Sequence, residues 1–93
     1  MEQIGHWVTG ARVAGASGRT AEVYNPATGE VQAQVALAAT DEVDDAVAKA
    51  ARAQPAWGAT NPQRRARVLM EFVRLLNRDM DRLAEALSRE HGK

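Results

Sequence analysis

Side chains able to do chemistry are few and scattered in these 93 residues, and no cysteine is among them. Thiolate nucleophiles, disulfides and cysteine-ligated zinc are therefore excluded for this stretch. His6 and His91 stand at opposite ends of the chain, with no carboxylate or second imidazole at metal-ligand spacing, and read as ordinary surface or boundary residues. Arg64, Arg65 and Arg67 are closer together. They fall in the first turns of an expected helix, where backbone N–H groups also favour an anion. No glycine-rich loop precedes them, and arginines so placed usually face water or pair with acidic neighbours. Asp41, Glu42, Asp44 and Asp45 crowd the start of another expected helix, where carboxylates complement the dipole. Trp7 and Trp57 could wall a pocket, but an isolated Trp more often packs where elements join. A Ser-His-Asp set, a dinucleotide fingerprint and a phosphate loop are all missing. The residues by themselves therefore indicate no catalytic, cofactor-binding or metal site.

Charge and length narrow the classes further. Twelve basic and twelve acidic residues cancel, which argues against nucleic acid and against an anionic membrane. The distribution is uneven: residues 1–61 carry four basic and seven acidic groups, residues 62–93 eight and five. The Arg-rich half has only Phe72 as an aromatic, short of the interleaving that single-stranded nucleic acid needs. The first twenty residues hold Glu2 and no apolar run long enough for a signal peptide, and no stretch could span a bilayer. A cytoplasmic protein is expected.

The elements that would position these residues are legible in turn and period signals. Two β-hairpins are expected within residues 1–38. The first turns at Thr9-Gly10; the second joins Ala21–Tyr24 to Glu30–Leu37 through Asn25-Pro26-Ala27-Thr28-Gly29, with Pro26 presetting the turn and Gly29 taking a left-handed conformation. A helix over residues 40–58 should begin with Thr40 as N-cap and end or kink near Ala53, ahead of Pro55, which leaves Trp57 in the connection. Asn61-Pro62 then starts a long amphipathic helix or helix pair over residues 61–92. It bends around Asn77 to Asp79 and ends at Gly92, where a charged His91 suits the dipole. The fold class is α+β: two hairpins followed by two to three helices.

The last of these elements has the clearest pattern. Leu69, Val73, Leu76, Met80, Leu83 and Leu87 are spaced four, three, four, three and four apart, which puts them on one helix face; Phe72 and Leu75 widen the stripe. Burying eight such side chains is worth roughly 10–20 kcal/mol. The rest of the chain offers few large apolar residues to cover them. Their expected partner is therefore protein beyond this chain, either the remainder of its own polypeptide or, for a small helical interaction module without catalysis, a separate partner.

One run supports the first alternative. Val23-Tyr24-Asn25-Pro26-Ala27-Thr28-Gly29-Glu30-Val31 resembles the N-terminal hairpin of the aldehyde dehydrogenase superfamily, and the order of elements agrees down to Glu90-His91-Gly92-Lys93. Gln54-Pro55-Ala56-Trp57, Thr60-Asn61-Pro62-Gln63-Arg64-Arg65-Ala66-Arg67, Leu75-Leu76-Asn77 and Leu87-Ser88 look like the CoA-acylating methylmalonate-semialdehyde dehydrogenases. The resemblance implies an N-terminal segment flanking a Rossmann-like NAD-binding domain in an α/β enzyme. It implies NAD and CoA as cofactors, and oxidation of malonate or methylmalonate semialdehyde to acetyl-CoA or propionyl-CoA with loss of carbon dioxide, in valine and inositol breakdown. It also implies a homotetramer. The family's nucleophilic cysteine, general-base glutamate, oxyanion-hole asparagine and nucleotide loops would all lie beyond residue 93. None is carried over, and the segment is expected to be inactive alone.

Overall fold

The structure, a computed structural model describing residues 1–93, begins with three short strands: β1 (Glu2–Ile4), β2 (His6–Val8) and β3 (Ala11–Val13). Strands β2 and β3 pair antiparallel, His6 opposite Val13 and Val8 opposite Ala11. Thr9 and Gly10 both have positive φ, 52° and 75°, as a two-residue turn matched to strand twist requires. The second hairpin joins β4 (Thr20–Tyr24) to β5 (Val31–Ala36). Its turn closes as the residue types demand. Asn25 Oδ1 accepts from the Ala27 N–H at 2.9 Å, the Gly29 N–H donates to Asn25 O at 2.7 Å, and Gly29 has φ of 76°.

Strand β1 departs from the sequence expectation, which had only hairpins here. It pairs parallel to β5, giving a three-stranded sheet in the order β1-β5-β4. Three residues, Glu-Gln-Ile, carry no periodic signal; the strand exists because β5 offers a free edge. In register, Ile4, Val35 and Ala21 share one sheet face with Ala33 and Val23, while Gln3, Gln34 and Glu22 share the other. Gln3 Nε2 donates to Gln34 Oε1 at 3.3 Å on that polar side.

Helix α1 (Thr40–Ala59) follows. Two expectations about it are corrected. The cap is Ala39 rather than Thr40, because the Glu42 carboxylate, instead of a hydroxyl, reaches back to the Ala39 N–H at 3.3 Å. The helix also runs through Pro55 and carries Trp57 within it, ending at Thr60, whose hydroxyl donates to Ala56 O at 2.8 Å. Proline removes one donor near the end of the helix; the alanines on either side favour helix strongly enough to continue past it.

Helix α2 (Pro62–Arg78) is capped by Asn61, whose Oδ1 accepts from the Gln63 N–H at 2.7 Å, with proline at the first turn. Helix α3 (Met80–His91) begins after Asp79 and ends at Gly92, φ 77°. The Asp79 N–H still donates to Leu75 O and the Leu83 N–H to Asp79 O, so the break is shallow. The C-terminal end of α3 lies on the sheet and its turn: Gln32 Nε2 donates to Arg89 O at 2.7 Å, and a Cβ at Gly92 would come within 3.0 Å of Pro26.

Little else is enclosed. Ala33 is the one buried residue. The radius of gyration is 16.9 Å, against about 12 Å for a compact domain of this length.

Candidate functional site

The residues singled out for chemistry are held by different elements, and the fold brings only one pair of them together. His6 on β2 and Glu42 in the first turn of α1 approach to 3.6 Å, Nε2 to Oε2. The other oxygen of Glu42 accepts from the backbone N–H of Ala16 at 3.1 Å and of Ala39 at 3.3 Å. These two amides, aided by the His6 imidazole, hold the Glu42 carboxyl below the usual carboxylate range. Sequence spacing gave no hint of this meeting, since it depends on how the loop at residues 14–19 returns the chain to α1. That loop is fixed by Ser17 Oγ donating to Leu37 O and by an Arg19 guanidinium N–H donating to Ala38 O at 3.0 Å.

The remaining candidates stay apart. His91 lies in the last turn of α3. Asp45 pairs with Lys49 one turn on, at 2.7 Å, while Asp41 and Asp44 are exposed. Arg64 and Arg67 are exposed, and Arg65 is half-buried with its Nε enclosed and unpartnered. Trp7 is exposed on its hairpin and Trp57 on α1, so the two indoles wall no common pocket. At the α2–α3 break, Arg78 and Arg82 lie 2.9 and 3.5 Å from Asp79, and the hydrogen bond from Arg78 lowers its carboxyl pKa.

Two apolar surfaces remain, and they are the features best suited to a function. The first is an open groove of about 580 Å³ between the β2–β3 hairpin and α1, walled by Val8, Val13, Val43 and Val47 with His6 and Glu42 at one side. The second is the α2–α3 stripe. Leu69, Phe72, Val73, Met80, Leu83 and Leu87 are 42–58% exposed, with Leu75 and Leu76 half-covered. The stripe was legible in sequence spacing; that nothing in the chain covers it is a finding of the structure. The whole chain exposes 7510 Å². A compact 10.1 kDa protein would expose about 5,300 Å². The excess, roughly 2,200 Å², is well above the ~800 Å² that one partner contributes to a standard interface. No helix is long and apolar enough to cross a membrane.

Comparison with known proteins agrees in sequence and in shape. The sequence pattern of the Aldehyde dehydrogenase family matches residues 13–93. Malonate-semialdehyde dehydrogenase of Pseudomonas aeruginosa is 41% identical over 93 residues, all of this chain and 18% of that protein. A Sinorhizobium meliloti protein assigned as a methylmalonate-semialdehyde dehydrogenase, crystallised with NAD, superposes with a TM-score of 0.93 at 60% identity; the match covers 98% of this chain and 18% of that one. Methylmalonate-semialdehyde dehydrogenase of Oceanimonas doudoroffii gives 0.92 at 40% identity, with the same coverage of both chains. The chain thus spans about a fifth of the length of the relatives it matches.

Proposed function

The chain belongs to the Aldehyde dehydrogenase family, and on that footing we propose that it is the N-terminal part of a NAD-dependent, CoA-acylating (methyl)malonate-semialdehyde dehydrogenase. The observation that carries this reading is the match, at 60% identity over 98% of the chain, to a protein crystallised with NAD. The full-length enzyme oxidises the semialdehyde, passes the acyl group to CoA and releases carbon dioxide, giving acetyl-CoA or propionyl-CoA. Thioester chemistry needs a thiolate, and these residues contain no cysteine. The nucleophile therefore comes from another part of the enzyme, and the segment alone is inactive. Its role is structural: Leu69, Phe72, Val73, Leu76, Met80, Leu83 and Leu87 pack against the remainder of the polypeptide, beside the nucleotide-binding domain. The assembled enzyme is a cytoplasmic homotetramer.

The test is made on the purified full-length protein. It is supplied with malonate or methylmalonate semialdehyde and NAD, with and without CoA, while NADH and acyl-CoA are followed spectroscopically and by mass spectrometry. NADH production coupled to acyl-CoA formation supports the reading. Free acid as the product whether or not CoA is present would overturn the acylating assignment, and no NAD reduction with either aldehyde would overturn the substrate class as well. Phe72→Ala in the same protein addresses the packing role. If the remainder of the chain covers this side chain, its removal lowers stability by about 3–5 kcal/mol; if it stays as exposed as it is here, the loss is nearer 1 kcal/mol or less.

A further inference from the structure

Three segments meet at one carboxylate. Glu42 Oε1 accepts from the N–H groups of Ala16, at 3.1 Å, and Ala39, at 3.3 Å, while Oε2 faces Nε2 of His6 at 3.6 Å. Nε2 is sealed from solvent and has no hydrogen-bond partner. The backbone of Gly15 walls it on another side, so closely that a Cβ there would lie 3.0 Å from Nε2. An imidazole is a group that ordinarily changes charge near neutrality. The charged form must carry a proton on Nε2, the atom beside Oε2, and there the contact becomes an ion pair. The neutral form loses the charge attraction in either tautomer.

We infer that His6 and Glu42 form a pH-sensitive clasp that fastens the β2–β3 hairpin to the start of α1, closing when the imidazole is protonated. Glu42 is the fixed member, because the amides of Ala39 and Ala16 hold its carboxyl below the usual carboxylate range and so keep it ionised near neutrality. The clasp is therefore complete while the imidazole carries its second proton and is lost when rising pH removes it. Other charges near His6 leave this sign unchanged. Across the groove Asp45 and Lys49 neutralise each other at 2.7 Å, and Glu2 and Arg12, in the cleft on the other side of His6, are of opposite sign.

The experiment is hydrogen exchange on the full-length protein at pH 5 and pH 8, corrected for intrinsic rates and read on the peptide covering residues 5–16. Protection should be about threefold higher at pH 5. Glu42→Gln keeps an oxygen for the two amides but removes the charge, so its protection should be the same at both pH values. His91→Gln should behave as the wild type. A pH-independent wild type, an unchanged response in Glu42→Gln, or loss of the response in His91→Gln would each overturn the inference.

Discussion

Produced with nothing to cover it, the 93-residue chain should lose structure without a cooperative transition. The chain exposes 7510 Å², roughly 2,200 Å² more than a compact protein of its mass. With a little over half of that apolar, at ~25 cal/mol per Å², the uncovered surface withholds about 30 kcal/mol of hydrophobic stabilisation. A folded domain keeps only about 5–15 kcal/mol after all opposing terms, so a deficit of this size removes the margin. Some helix should persist locally, since α1 has 20 residues and is rich in alanine, but isolated helices melt gradually. The assay is urea titration of the chain, followed in parallel by far-ultraviolet circular dichroism and by the near-ultraviolet signal of Trp7 and Trp57. The expected result is a sloping loss of helix, a weak near-ultraviolet signal from the start, and binding of a hydrophobic dye. Coincident sigmoidal transitions in both signals, independent of protein concentration, would refute the argument that the stripe requires a cover.

Further outcomes are expected in the full-length protein. Thr9 holds φ of 52°, which disfavours a β-branched residue; Thr9→Asn should stabilise the first hairpin by about 0.5 kcal/mol, seen as a higher thermal midpoint. Asn61→Ala removes the acceptor for the Gln63 N–H and should cost about 1 kcal/mol, with faster amide exchange confined to the first turn of α2. Glu42, its pKa lowered by the amides of Ala39 and Ala16 and by His6, contributes stability above the ordinary carboxylate value of 4.5 and loses it as pH falls through its lower folded value. Glu42→Gln should therefore make the junction between the β2–β3 hairpin and α1 less acid-sensitive, measured by the fluorescence of Trp7 below pH ~4.5.

Much of this architecture could be read without coordinates, and the reason is range. The turns at Thr9-Gly10 and Asn25–Gly29, the Asn61-Pro62 start, the break before Met80 and the left-handed stop at Gly92 are each settled by a few consecutive residues whose backbone preferences agree. The amphipathic stripe is equally local, being a matter of spacing along one helix. Pro55 shows the limit of such rules. A preference of a few kcal/mol yielded to a helix that continued on both sides of it. The pairing of β1 with β5, the meeting of His6 with Glu42, and Gln32 reaching Arg89 across 57 positions left no trace in the amino-acid order. Each depends on where distant segments come to rest, and no short-range preference encodes that. The stripe's exposure belongs with them: spacing says which side chains share a face, while only the positions of all other atoms show whether that face meets protein or water.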